Sequence, residues 1–176
     1  MTPHFILKYF IRKLAARQKT AQLKTLNEID SLVLLSASNR ETTQINREWL
    51  RKQFPQIKHV RLINFTNEKK VEKLILLNVE MDEVNSRGFS PFGELRKGVE
   101  ELFSNTSFDV LINTDNNSNL YLHLIALHIH ANLKIGRRND VSEKLYSILL
   151  SSDKETGFQK FVIETENYLN DLTGNK

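Results

Sequence analysis

Residues 28–176 predict one Rossmann-like α/β domain, three layers deep around a mostly parallel sheet, and residues 1–27 predict a basic amphipathic helix ahead of it. Three observations carry this. Short apolar runs alternate with amphipathic stretches, the pattern of strands joined by crossover helices. FDVLIN (108–113) is nearly all apolar, as a strand covered on both faces must be. At 176 residues the chain suits one hydrophobic core, since a second domain would lack core volume.

From Phe5 to about Leu26, residues Leu7, Phe10, Ile11, Leu14 and Ala21 recur with the helical period on one side. Lys8, Arg12 and Lys19 border that stripe on one flank, Lys13, Arg17 and Lys24 on the other. SLVLLS (31–36) reads as the first strand. Ser38 and Glu41 then have capping-box spacing, in which the two side chains satisfy each other's exposed backbone amides, and a helix runs to about Gln53. Pro55 ends it, and IKHVRLINF (57–65) reads as the second strand.

Residues 71–84 fit either a buried strand or a short helix feeding a strand at VEMDEV. Gly88, Pro91 and Gly93 mark turns, after which Leu95, Val99, Leu102 and Phe103 share a helical face. The FDVLIN strand leads through the polar loop Thr114 to Asn119 into an unusually apolar helix from Leu120 to about Ala131. Asn132 to Ile135 reads as a short strand closed by Gly136, and Leu145 to Leu150 as another at the sheet edge. Phe158, Phe161, Val162, Leu169 and Leu172 define the last helix, with Gly174 as its stop.

Composition removes several chemistries. There is no cysteine, hence no disulfide, thiolate metal site or cysteine nucleophile. The six glycines are scattered at 88, 93, 98, 136, 157 and 174, without the clustering that lets backbone amides cradle a phosphate. No metal and no cofactor is expected. His123, His128 and His130 lie near one helix, but 128 and 130 point 200° apart at 100° per residue, so they read as packing residues. No run approaches the roughly 18 apolar residues of a membrane span, and the expected compartment is the cytoplasm, with peripheral attachment to the inner membrane as the variant.

The net charge of +4 is unevenly placed. Residues 1–27 hold six cations and no acid; the remainder holds 25 − 6 = 19 cations against 21 acids, or −2. The positive charge belongs to the N-terminal segment. Its stripe could dock on a partner protein, pack back on its own sheet or rest on an anionic membrane, with RNA phosphates as a further target.

In a parallel α/β sheet, ligands gather beyond the carboxyl ends of the strands. Two polar loops fall there: one supplies Ser36, Ser38 and Asn39, the other Asn113, Asp115, Asn116 and Asn117. Arg137 and Arg138, after the short strand, could add charge for an anion held at the helix N-termini. The same serines, asparagines and aspartate would also serve simply as caps and turn formers.

FDVLINTDNNSNLYLHLIALHIHANLKIGR (108–137), with GFSPFG (88–93) and the final YLNDL (168–172), resembles a family of uncharacterised proteins from Bacteroidetes bacteria. The long segment is also similar to the N-terminal half of heptosyltransferase-type glycosyltransferases. That resemblance implies a sugar-nucleotide enzyme with a second Rossmann-like half and an acid after the first strand. This chain is too short for the second half, and Ser36, Ala37, Ser38, Asn39 offer no carboxylate. The expected function is therefore a non-enzymatic interaction or scaffold module with a basic docking helix. The alternative is a small ligand-binding protein or glycosyltransferase-like remnant, taking a phosphorylated or sugar-containing ligand in the strand-end crevice.

Overall fold

A computed structural model of the chain describes residues 3–15, 29–55, 57–67, 73–76, 79–103, 106–116, 119–139, 141, 144–153 and 155–173. In chain order the elements are α1 (His4–Ala15), β1 (Ser31–Ser36), α2 (Arg40–Gln53), β2 (His59–Phe65), β3 (Lys73–Leu76) and β4 (Val79–Val84). They continue with α3 (Lys97–Glu100), β5 (Ser107–Asn113), α4 (Leu120–His128), β6 (His130–Arg137), β7 (Ile148–Leu150) and α5 (Phe158–Thr173).

The strands form one seven-stranded sheet in the order β3-β4-β2-β1-β5-β6-β7. Six strands are parallel, and only β3, paired with β4, runs the other way. Within residues 71–84, which periodicity alone leaves ambiguous, 73–76 and 79–84 are thus strands, paired antiparallel at the sheet edge. The chain winds from β1 outward through β2 to β4, then returns to the other side of β1 and winds through β5, β6 and β7. The winding direction reverses between β1 and β5, which puts the crossover helices on opposite faces, because parallel crossovers are right-handed.

Each central strand feeds both layers by the two-residue alternation of its side chains. Leu32, Leu34, Leu62, Val110 and Ile112 pack under α2 and α5 with Leu50, Phe161, Val162 and Leu169. Val33, Leu35, Ile63 and Leu111 pack under α1 and α4 with Leu7, Ile11, Leu122 and Ile125. The nearly all-apolar sequence of α4 follows from this position: it lies between the sheet and α1, and Leu120 through Ala126 are all buried.

The described part of the N-terminal helix is therefore packed on its own domain. Leu7 and Ile11 are fully buried, Phe10 and Leu14 half-buried, while Lys8, Arg12 and Lys13 face outward. The expected extension to Leu26, with Ala21, Arg17, Lys19 and Lys24, lies outside the described residues.

Three boundaries differ from expectation for local reasons. The helix expected from Leu95 is only the single turn Lys97–Glu100, with Phe103 reaching the core from the turn that follows. The helix expected to end near Ala131 stops at His128, because the chain is taken up as β6, longer than Asn132 to Ile135, pairing with β5 from His130 onward. In the segment Leu145 to Leu150 only 148–150 pairs with β6; Leu145 and Tyr146 instead insert into the core from the preceding loop. Tyr146 can lie flat on β6 because Gly136 has no side chain: a Cβ there would sit 2.7 Å from the ring. Among the described residues no helix is long and apolar enough to cross a membrane.

Candidate functional site at the strand ends

The C-terminal ends of β1, β2 and β5 meet an open cleft of about 570 Å³ where the winding reverses. Ala37, Ser38, Asn39, Phe65, Thr66, Asn67, Asp115 and Asn119 line it. Its walls are set by hydrogen bonds that begin in the sheet.

On the β1 side, the wholly buried Asn64 of β2 holds the loop after β1 on three counts. Its Oδ1 accepts from the Ser38 amide (3.0 Å) and hydroxyl (3.2 Å), and its Nδ2 donates to the Ser38 carbonyl (3.0 Å). The Ser38 hydroxyl also lies 2.7 Å from that of Thr43 and 3.3 Å from that of Ser36. With its hydroxyl engaged there, Ser38 is not the helix cap that its spacing from Glu41 predicts. Asn39 takes that role, its Oδ1 accepting from the Thr42 amide at 2.9 Å.

On the β5 side, the Asp115 amide donates to Asn113 Oδ1 (3.1 Å), and Asp115 Oδ2 accepts from the Asn119 amide (2.6 Å). The Asn119 side chain in turn caps α4 by accepting from the Tyr121 amide. A carboxylate beside the first turn of α4 satisfies an exposed amide and opposes the positive end of the helix dipole. Asp115 is the only ionisable side chain among the described residues lining the cleft.

Behind this wall lies a closed polar chain. Asn113 Nδ2 donates to the Tyr146 hydroxyl at 2.6 Å, leaving that hydroxyl to donate to His123 Nδ1 at 2.8 Å. The network thereby assigns the His123 proton to Nε2, which is buried and has no hydrogen-bond partner. Burial pulls the His123 pKa down to about 4, so the ring is neutral, and burial raises the Tyr146 phenol above its ordinary value. Lys134 stands on the same side of the sheet, donating to the Ala126 carbonyl at 2.6 Å, with its pKa lowered by burial to about 8.

The structure brings together only part of what the sequence proposes. Ser38, Asn39 and Asp115 line the cleft; Ser36 and Asn113 are buried just beneath it and shape its walls. Asn116 is exposed, and Asn117 lies outside the described residues. Arg137 is buried, its guanidinium engaged elsewhere: Nε donates to the Thr114 carbonyl (3.1 Å), Nη2 to the Thr156 carbonyl (2.7 Å), and Nη1 to the Ser152 hydroxyl. Its plane also sits 4.0 Å over the Phe161 ring. The arginine fastens the β5 and β7 loops to α5. Arg138 is exposed and does not line the cleft. His123, His128 and His130 are respectively buried, half-buried and exposed, and no three metal-ligating side chains converge among the described residues. Thr66, Asn67 and Asn119 were not singled out from sequence; the first two follow directly from β2 lying beside β1, since its end then opens on the same crevice.

A family model matches residues 4–172. The chain belongs to DUF6913, a family of unknown function. The match takes in the residues of both α1 and α5. No curated protein and no solved structure matches it.

Proposed function

We propose that the chain is a non-enzymatic binding module whose strand-end cleft holds a small, uncharged, hydroxyl-rich ligand of the sugar or ribose kind. The observation that carries this reading is the lining: hydroxyls and amides from three loops, one carboxylate, and no cation among the described residues. A carboxylate accepts from paired hydroxyls, and the amides and hydroxyls around it can donate or accept in turn. Acid-base or covalent catalysis needs a second ionisable group or a hydroxyl activated by a base; among the described lining residues Asp115 is the one ionisable side chain, and the Ser38 hydroxyl is held by Asn64 and Thr43.

The same lining narrows the ligand. Each helix N-terminus at the cleft already uses its own side chain, Asn39 on α2 and Asp115 with Asn119 on α4, and Arg137 is fixed behind the wall. Among the described lining residues a phosphate would meet the Asp115 charge with no cation to compensate it.

The test is a thermal-shift titration with glucose, ribose, adenosine and the corresponding phosphates. The neutral compounds should raise Tm saturably, and Asp115→Asn, which keeps the acceptor for the Asn119 amide, should abolish the shift. A flat response to all neutral compounds, or a stronger one to phosphates, would refute the reading.

A further inference from the structure

The second surface that calls for a partner is the back of α1, on a different part of the molecule from the cleft. Phe5 and Tyr9 stand one turn apart on this helix with 73% and 61% of their surfaces exposed. Lys8, Arg12 and Lys13 surround them, all outward. The turn Pro91 to Gly93 abuts the same helix, and Phe92 in it is 64% exposed. That abutment is close because Gly93 takes a positive φ of 84° and its missing Cβ would stand 3.0 Å from Leu7 and 3.6 Å from Phe10. Phe5 and Tyr9 thus share the outward side of α1 with Lys8, Arg12 and Lys13, and Phe92 is exposed in the turn that packs against this helix.

Helix orientation is fixed from beneath. Pro3 receives the first helical hydrogen bonds from the Ile6 and Leu7 amides, and Leu7 and Ile11 are locked into the core against α4. The exposed aromatics are therefore displayed on a rigid convex ridge, and little further ordering is needed on contact.

We propose that this ridge docks on an anionic lipid surface. Charge complementarity carries the choice: residues 1–27 contain six cations and no acid, while the rest of the chain is net negative, so a negatively charged plane attracts this segment and orients the body away. Aromatic side chains suit the headgroup boundary, and lysine and arginine extend to phosphates around them. A convex ridge fits a deformable plane; a groove-bearing protein partner would instead need a matching concavity.

The experiment is co-sedimentation of the full chain with vesicles of phosphatidylcholine alone and of equal parts phosphatidylcholine and phosphatidylserine, at low and high salt, beside a poly(U) RNA binding assay. Binding should require phosphatidylserine and fall with salt. The triple variant Lys8→Glu, Arg12→Glu, Lys13→Glu should lose at least roughly a hundredfold, at about fivefold per cation. Phe5→Ser with Tyr9→Ser should weaken binding by about tenfold with the salt dependence kept. All five residues are exposed, and an unchanged Tm verifies the fold of each variant. No sedimentation with anionic vesicles, wild-type binding by both variants, or RNA binding that exceeds vesicle binding and is lost in the triple variant would overturn the proposal.

Discussion

Two polar networks stand side by side at the C-terminal edge of the sheet, and they are built differently. The network around Ser38, Thr43 and Asn64 reaches the rim of the cleft through Ser38, with Asn39 exposed at its edge, while Asn64 and Thr43 are fully buried beneath and shape the loop by neutral hydrogen bonds. The chain of Asn113, Tyr146 and His123 is interior and its imidazole is kept neutral; Arg137, buried on the other face of the sheet and bonded separately, is committed to carbonyls. Both consist of residue types that sequence reading associates with binding. Which of them can receive a ligand depends on how many of their donors and acceptors the fold has already used.

The interior network should therefore show in stability and the rim network in binding. The largest effect is expected from Arg137→Met, which leaves the Thr114 and Thr156 carbonyls without their donor: a loss of about 4 kcal/mol in urea unfolding. A loss below about 1 kcal/mol would mean the arginine is free for other work.

Acid should expose the same region through His123. Its pKa of about 4 in the folded chain lies below 6.5, the ordinary value that the unfolded chain keeps, so the unfolded state binds more protons between those values. Stability from this group is complete above pH 6.5, falls as pH drops towards 4, and is about 3 kcal/mol lower once both states are protonated. Unfolding free energies measured across that window in wild type and His123→Gln should diverge by this amount; parallel curves would contradict the neutral buried ring.

Gly136→Ala should cost about 2 kcal/mol by pushing a methyl against the Tyr146 ring 2.7 Å away. At the rim, Ser38→Ala should cost only about 1 kcal/mol, because Asn64 still holds the backbone amide and carbonyl of residue 38. If Ser38→Ala proved costlier than Gly136→Ala, the distinction between rim and interior would fail.

Much of the sheet was legible because its signals are local. SLVLLS and FDVLIN lie within one residue of β1 and β5, the helix ending before Pro55 is α2, and the apolar period of α5 marked its buried face. Leu172, placed on that face by period, is half exposed in the last turn of α5. Less legible were features set by contacts distant in sequence. Ser38 yields the cap to Asn39 because Asn64, 26 residues away, claims it. Arg137 follows a strand end, as a ligand-binding arginine would, yet its partners Thr114 and Thr156 come from other loops. The strand-end rule found the cleft but named only two of its three loops, since strand order decides that β2 borders it.

The most direct measurement is an amide chemical-shift titration of the full chain with adenosine. Saturable shifts are expected at residues 37–39, 66–67, 115 and 119, with Arg137 and Tyr146 unmoved and the response lost in Asp115→Asn. Shifts centred on Arg137 and the 152–156 loop, or none at saturating adenosine, ribose and glucose alike, would contradict the proposed site.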